Sequence, residues 1–237
     1  MTAAPLLVFD LDGTLADTAP DLVDTLNVIL AGEGVAPVAF AEARAMVGAG
    51  SRALIQRGLE ASGQRVSPER LEALFAAFLV YYEAHIAEKS RLYPGVEAAF
   101  DRFAAAGFAF AVCTNKYEAP ARLLLTQLGL AGRFACICGQ DTFAAAKPDP
   151  RALLETIARA GGEAGRTIMV GDSGTDIQTA QNAGIPVIAV DFGYTERPIR
   201  DYRPDRVIAH YDDLWDAVAA LSSRDRPSTL TSKDTVS

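Results

Sequence analysis

Pro5-Leu6-Leu7-Val8-Phe9-Asp10-Leu11-Asp12-Gly13-Thr14 is an apolar run that stops on a carboxylate. Apolar residues without polar alternation read as a strand buried on both faces, the kind found inside parallel sheets. Working outward, similar runs recur at residues 108–113, 134–138, 167–170 and 186–190. Helical patterns lie between them at 96–105, 119–128, 151–160 and 176–183, and Gly107, Gly129, Gly161 and Gly184 stand where those helices should end. Strand alternating with helix predicts an α/β fold, an open, doubly wound and mostly parallel sheet.

One stretch breaks the alternation. From Asp21 to Lys89 there is no strand signal, only helical periodicity punctuated by Gly32, Gly34, Gly48, Gly50 and Gly63. The turn signal Leu92-Tyr93-Pro94-Gly95 then returns the chain to the sheet. The expected organisation is an α/β core from residues 1–16 and 92–221, with a small all-helical domain, 17–91, inserted after the first strand. The tail 222–237 is Ser- and Thr-rich, holds only Leu230 and Val236 as large apolar residues, and is expected to be flexible.

Half of the 237 residues are hydrophobic and 22% are charged, which suits a soluble globular protein and excludes wholesale disorder. Thirty acidic against 22 basic residues leave a net charge of −8, a field that repels phosphate backbones and argues against a nucleic-acid partner. No charge-free apolar run approaches the ~18 residues of a membrane span. The first basic residue is Arg44, so no targeting segment is expected and a cytoplasmic location is. The three cysteines cannot make a disulfide framework. Cys136 and Cys138 are expected to put their thiols on opposite faces of a strand, as reduced core residues. His85, His210 and Trp215 read as structural side chains.

The chemistry lies at the strand ends. In a parallel sheet all carboxyl ends share one edge, where ligands bind. That edge should gather Asp10 and Asp12, then Thr114-Asn115-Lys116, then Lys147-Pro148, then Gly171-Asp172-Ser173-Gly174-Thr175-Asp176. Clustered carboxylates repel unless a cation sits among them, and all-oxygen ligation favours Mg²⁺. Lys147 and Thr114 suit phosphate oxygens. A carboxylate left at the phosphorus can act as a nucleophile, so phosphoryl transfer is the reaction these parts fit.

In this order, Asp10-Leu11-Asp12-Gly13-Thr14-Leu15, Thr114-Asn115, Lys147-Pro148 and Gly171-Asp172-x-x-x-Asp176 resemble the four motifs of the haloacid dehalogenase superfamily, and the helical insertion resembles its small cap. The resemblance implies Asp10 as nucleophile and Asp12 as general acid/base, with Thr114 and Lys147 holding the phosphate. It implies Mg²⁺ on Asp10, the Asp12 main-chain carbonyl and Asp172, with Asp176 in support. The superfamily's dehalogenases lack the second aspartate, and an alkoxide needs a proton where a halide does not, so Asp12 favours phosphatase chemistry. Val47-Gly48-Ala49-Gly50-Ser51-Arg52, together with Phe192-Gly193-Tyr194, resembles the phosphoglycolate phosphatases of that superfamily. The substrate expected is a small phosphorylated metabolite, 2-phosphoglycolate before sugar phosphates, nucleotides or pyrophosphate. A β-phosphoglucomutase-like isomerase is disfavoured because Thr14 stands where those enzymes usually carry Val. Gly48, Gly50, Asn115 and Lys116 are expected to contact substrate, and Arg52 to grip its carboxylate. A monomer or homodimer is expected. Receiver domains also combine acids, Thr and Lys at strand ends, but here an acidic motif comes last and a helical insertion intervenes.

Overall fold

The computed structural model describes residues 3–48, 50–195 and 197–222. Leu6–Phe9 (β1) is buried at every position and lies in the middle of a sheet, with Phe9 opposite Val112 on one side and Val170 on the other. The chain then forms Ala16–Asp17 (β2) and four helices, Ala19–Gly32 (α1), Phe40–Arg44 (α2), Ser51–Ala61 (α3) and Pro68–Ala84 (α4). It returns through Arg91–Leu92 (β3), which pairs antiparallel with β2. Next come Val96–Ala105 (α5), Ala109–Cys113 (β4), Glu118–Gln127 (α6), Cys136–Cys138 (β5) and Pro150–Arg159 (α7). Thr167–Gly171 (β6), Gly174–Ala183 (α8), Val187–Val190 (β7), Arg206–Ile208 (β8) and Leu214–Ser222 (α9) complete the described strands and α-helices.

The main sheet runs β5-β4-β1-β6-β7-β8, parallel throughout. Alternate residues feed two layers, as the period of a strand demands. Leu7, Phe9, Phe110, Val112 and Val170 pack toward α5, α6 and α9 and run on into the apolar centre of the helical insertion. Leu6, Val8, Ala111, Met169 and Val187 pack toward α7 and α8. Because β1 sends its successors to both sides, the carboxyl ends of β1, β4 and β6 meet at the switch point of the sheet, where a crevice opens.

The expected alternation and the strand-free stretch 21–89 are found among the described residues. Four features differ, the first being the ribbon of β2 and β3, whose two residues each carry no sequence pattern. β8 escaped notice because three residues are too few to show a pattern. The run at 134–138 pairs as a strand only over Cys136–Cys138. The Cys136 and Cys138 thiols lie on the same face, 3.8 Å apart, because residues two apart in a strand share a face. Trp215 packs on Phe103 with ring centres 5.0 Å apart, and His85 stacks on Tyr81 at 4.1 Å. Ser222 closes α9, and the rest of the expected tail lies outside the described residues.

Candidate active site

Asp10 follows β1 directly, and its N–H continues the sheet by donating to the Val170 carbonyl at 2.9 Å. Asp172 follows β6, and Asp176 occupies the first turn of α8. The three carboxylates offer one oxygen each within 4.8 Å of one another. Lys147, buried to 6% exposure, lies among them: its Nζ is 2.9 Å from Asp10 Oδ1 and donates to Asp176 Oδ1 at 2.6 Å. The second Asp176 oxygen accepts from Ser173 N–H and O–H at 3.0 and 2.6 Å, a capping box that fixes the start of α8. Asp172 accepts from the Thr14 hydroxyl at 2.9 Å and from Tyr194 N–H at 2.6 Å. Gly13, at φ +86°, passes so close to Asp172 that a Cβ would sit 2.3 Å from its Oδ2, so both backbone and space demand glycine.

Electrostatics mark this cluster as incomplete. Burial raises Asp10 from its ordinary 3.8 to about 6, outweighing the attraction of Lys147, and Asp176 pushes in the same direction. Asp172 is also held well above the usual carboxylate range, by burial first and then by Asp176 and Asp10. Burial opposes the Lys147 ammonium, but Asp10 and Asp176 outweigh it and raise its pKa. Asp10 Oδ1 is buried and faces the Lys147 ammonium at 2.9 Å. A lone ammonium against three carboxylates leaves negative charge in excess, and three carboxylate oxygens within 4.8 Å of one another are a donor set for a hard metal ion.

Thr114 follows β4 directly, is buried at 4%, and its hydroxyl accepts from Lys116 N–H at 3.2 Å. Asn115 donates from Nδ2 to the Lys147 carbonyl at 3.1 Å, tying the second strand end to the third. Lys116 turns back into the crevice: its Nζ lies 2.9 Å from both carboxylate oxygens of Asp12 and 4.6 Å from the centre of the Tyr82 ring. Burial disfavours that ammonium, yet Asp12 and Tyr82 outweigh burial and raise its pKa. Across the crevice stand Gly48, Gly50 and Ser51 of the helical insertion, leaving about 40 Å³ of free space. Ordinary contact distances would meet a Cβ at Gly48 or Gly50, so their positive φ of 113° and 88°, rather than crowding, accounts for glycine there.

The crevice thus unites Asp10, Asp12, Thr114, Asn115, Lys116, Gly48 and Gly50, with Lys147, Asp172 and Asp176 in the acidic cluster beside Asp10. Arg52 is not brought in. Its guanidinium grips Glu72 through Nε and Nη2 at 2.7 and 2.8 Å, donates to the Tyr117 hydroxyl at 2.6 Å and stacks 3.7 Å over Phe75. Sequence reading also missed two anchors of the insertion. Buried Asp21 accepts from Lys89 N–H, Ser90 N–H and Ser90 Oγ at 3.0, 2.8 and 2.7 Å, joining the insertion's entry to its exit. Tyr194 Oη accepts from Thr18 and Ala19 N–H at 2.7 and 2.8 Å and donates to Asp17 at 2.5 Å. An acid in a helix's first turn is too common to signal the first, and the Phe-Gly-Tyr run was the one hint of the second.

A family model described as haloacid dehalogenase-like hydrolase matches residues 7–190. A phosphoglycolate phosphatase of Mesorhizobium japonicum is 53% identical over 210 residues, 89% of this chain and 92% of its own length. One of Agrobacterium fabrum is 45% identical over 215 residues, 91% and 92% of the two chains. Among solved structures, a protein of Haemophilus somnus described as a predicted phosphoglycolate phosphatase superposes with a TM-score of 0.84 at 28% identity, over 91% of this chain and 98% of its own. CbbY of Rhodobacter sphaeroides, in complex with phosphate, shares the fold with a TM-score of 0.77 at 23% identity, over 92% and 100%.

Proposed function

The chain belongs to the haloacid dehalogenase-like hydrolases, and on that premise we propose that it is a Mg²⁺-dependent phosphatase of small phosphomonoesters, with 2-phosphoglycolate as its main substrate. The observation that carries the reading is the trio Asp10, Asp172 and Asp176 gathered within 4.8 Å, with the Lys147 ammonium paired to two of the three. Relatives that bear the name phosphoglycolate phosphatase over nine-tenths of their length support the substrate.

Asp10, the Asp12 carbonyl and Asp172 would hold Mg²⁺, with Asp176 supporting them through Lys147. Bound there, the ion would supply positive charge to the phosphoryl oxygens. Lys147 and the Thr114 hydroxyl hold phosphoryl oxygens and align phosphorus with Asp10. A carboxylate oxygen of Asp10 attacks phosphorus, the P–O ester bond breaks, and the alkoxide takes a proton from Asp12. Asp12 then accepts a proton from water as that water attacks the aspartyl phosphate, releasing phosphate and restoring Asp10. The helical insertion acts as a cap that excludes water. Gly48, Gly50, Asn115 and Lys116 flank the leaving group, and the narrow crevice favours a small one.

Turnover of a panel of phosphomonoesters by the purified chain tests this. With Mg²⁺, 2-phosphoglycolate should be hydrolysed with the highest kcat/KM, chelator should abolish the reaction, and Asp10→Asn should lower kcat by at least about a hundredfold. Turnover that persists in chelator, or in Asp10→Asn, would remove the aspartyl phosphate from the account.

A further inference from the structure

Three charged side chains line the crevice between core and insertion among the described residues: Asp10, Asp12 and Lys116. Two are acids, so an anionic leaving group meets one site of attraction there. Lys116 is 7% exposed at its side chain, so its charge is shielded little by solvent. Arg52, with its fork on Glu72, lies outside the lining. Both oxygens of Asp12 are engaged by the Lys116 ammonium, so the carboxylate assigned above to the ester oxygen is held by another group.

We propose that Lys116 is the specificity-determining residue: it restrains Asp12 until the carboxylate of the substrate takes that place, which frees Asp12 to face the ester oxygen. The proposal rests on the phosphomonoester reading above and deepens it. Its geometry is that of the substrate itself. In a 2-phosphoxy acid one methylene separates the ester oxygen from the carboxylate. The group that serves the oxygen and the group that reads the carboxylate must therefore be neighbours, as Asp12 and Lys116 are at 2.9 Å. The ammonium exchanges one carboxylate for another, so its own charge stays paired in both states. An ester without the carboxylate leaves Asp12 restrained and loses kcat as well as binding.

The test compares 2-phosphoglycolate with propyl phosphate, of similar size but uncharged in its leaving group, on the Mg²⁺-loaded wild type, Lys116→Met and Lys116→Gln. The wild type should favour 2-phosphoglycolate in kcat as well as in KM. In the substituted enzymes the ratio of the two kcat/KM values should collapse by about 10- to 150-fold, the worth of one charge-assisted contact. A folded variant of either kind that keeps the wild-type ratio overturns the role of Lys116 and leaves the phosphatase reading standing. A wild type indifferent to the carboxylate overturns the phosphoglycolate reading itself.

Discussion

Arg52 carries the planar fork that suits a carboxylate, and in the folded chain that fork is spent on Glu72. The pair is 39% and 57% exposed, so water and salt screen it and it adds little to stability. Stacking on Phe75 and the bond to Tyr117 add contacts that hold α3 to α4 and to the loop after β4. Arg52→Ala is therefore expected to lower thermal stability modestly while preserving the preference for 2-phosphoglycolate over propyl phosphate within about threefold, far short of a lost charge-assisted contact. Melting curves and the two kcat/KM values check it. A loss confined to 2-phosphoglycolate would return carboxylate recognition to Arg52. The residue type was legible in the sequence, but the choice among carboxylates was not, because Glu72 competes for the same fork from the neighbouring helix.

At the scale of elements, the helical insertion is tied to the core by more than two linkers. β2 and β3 form a two-residue ribbon, and Tyr93 N–H donates to the Leu15 carbonyl at 3.0 Å. Tyr194 adds a direct link from the Asp172 carboxylate, through its N–H, to the first amides of α1, through its hydroxyl. Those amides belong to the orphan donors of a helix start, and Thr18 caps none of them with its side chain. Tyr194→Phe keeps the ring under Arg44 but removes the acceptor. The expected cost is about 1–3 kcal/mol in denaturant unfolding, with faster hydrogen exchange at Thr18 and Ala19. Wild-type values in both measurements would show that solvent caps α1 equally well.

For the whole molecule, the acidic cluster couples stability to pH. Asp10 binds its proton more tightly folded than unfolded, at about 6 against 3.8, and Asp172 shifts the same way. The contribution of Asp10 to the metal-free fold is fully present below 3.8 and is lost as pH rises through about 6, on the order of 3 kcal/mol, and that of Asp172 is likewise lost as pH rises. Divalent metal reverses this, since it binds the ionised forms. Added Mg²⁺ should raise Tm most above pH 6 and have no effect near pH 4, and metal-free Asp10→Asn should melt higher than metal-free wild type at pH 7.5. Thermal melts with Mg²⁺ or chelator across this range check both. A Mg²⁺ shift independent of pH would place the ion elsewhere.

What could be read from the sequence is what a few neighbouring residues encode by themselves. Unbroken apolar runs announce β1, β4, β6 and β7, because burying both faces leaves no polar alternation. The order of Asp10, Thr114, Lys147 and Asp172 along successive strand ends then implies one crevice, because parallel strands must share an edge. The loss of strand signal over residues 21–89 marks where the four helices α1–α4 lie. Tertiary structure alone decided which polar groups pair: Lys116 with Asp12 across 104 positions, Tyr194 with Thr18 across 176, and Arg52 with Glu72 rather than with the crevice. It also decided β2 with β3, two residues each. Apolar burial is roughly additive along the chain and leaves a periodic trace. A charged side chain follows whichever partner the fold brings within about 3 Å, and no local pattern records that distance.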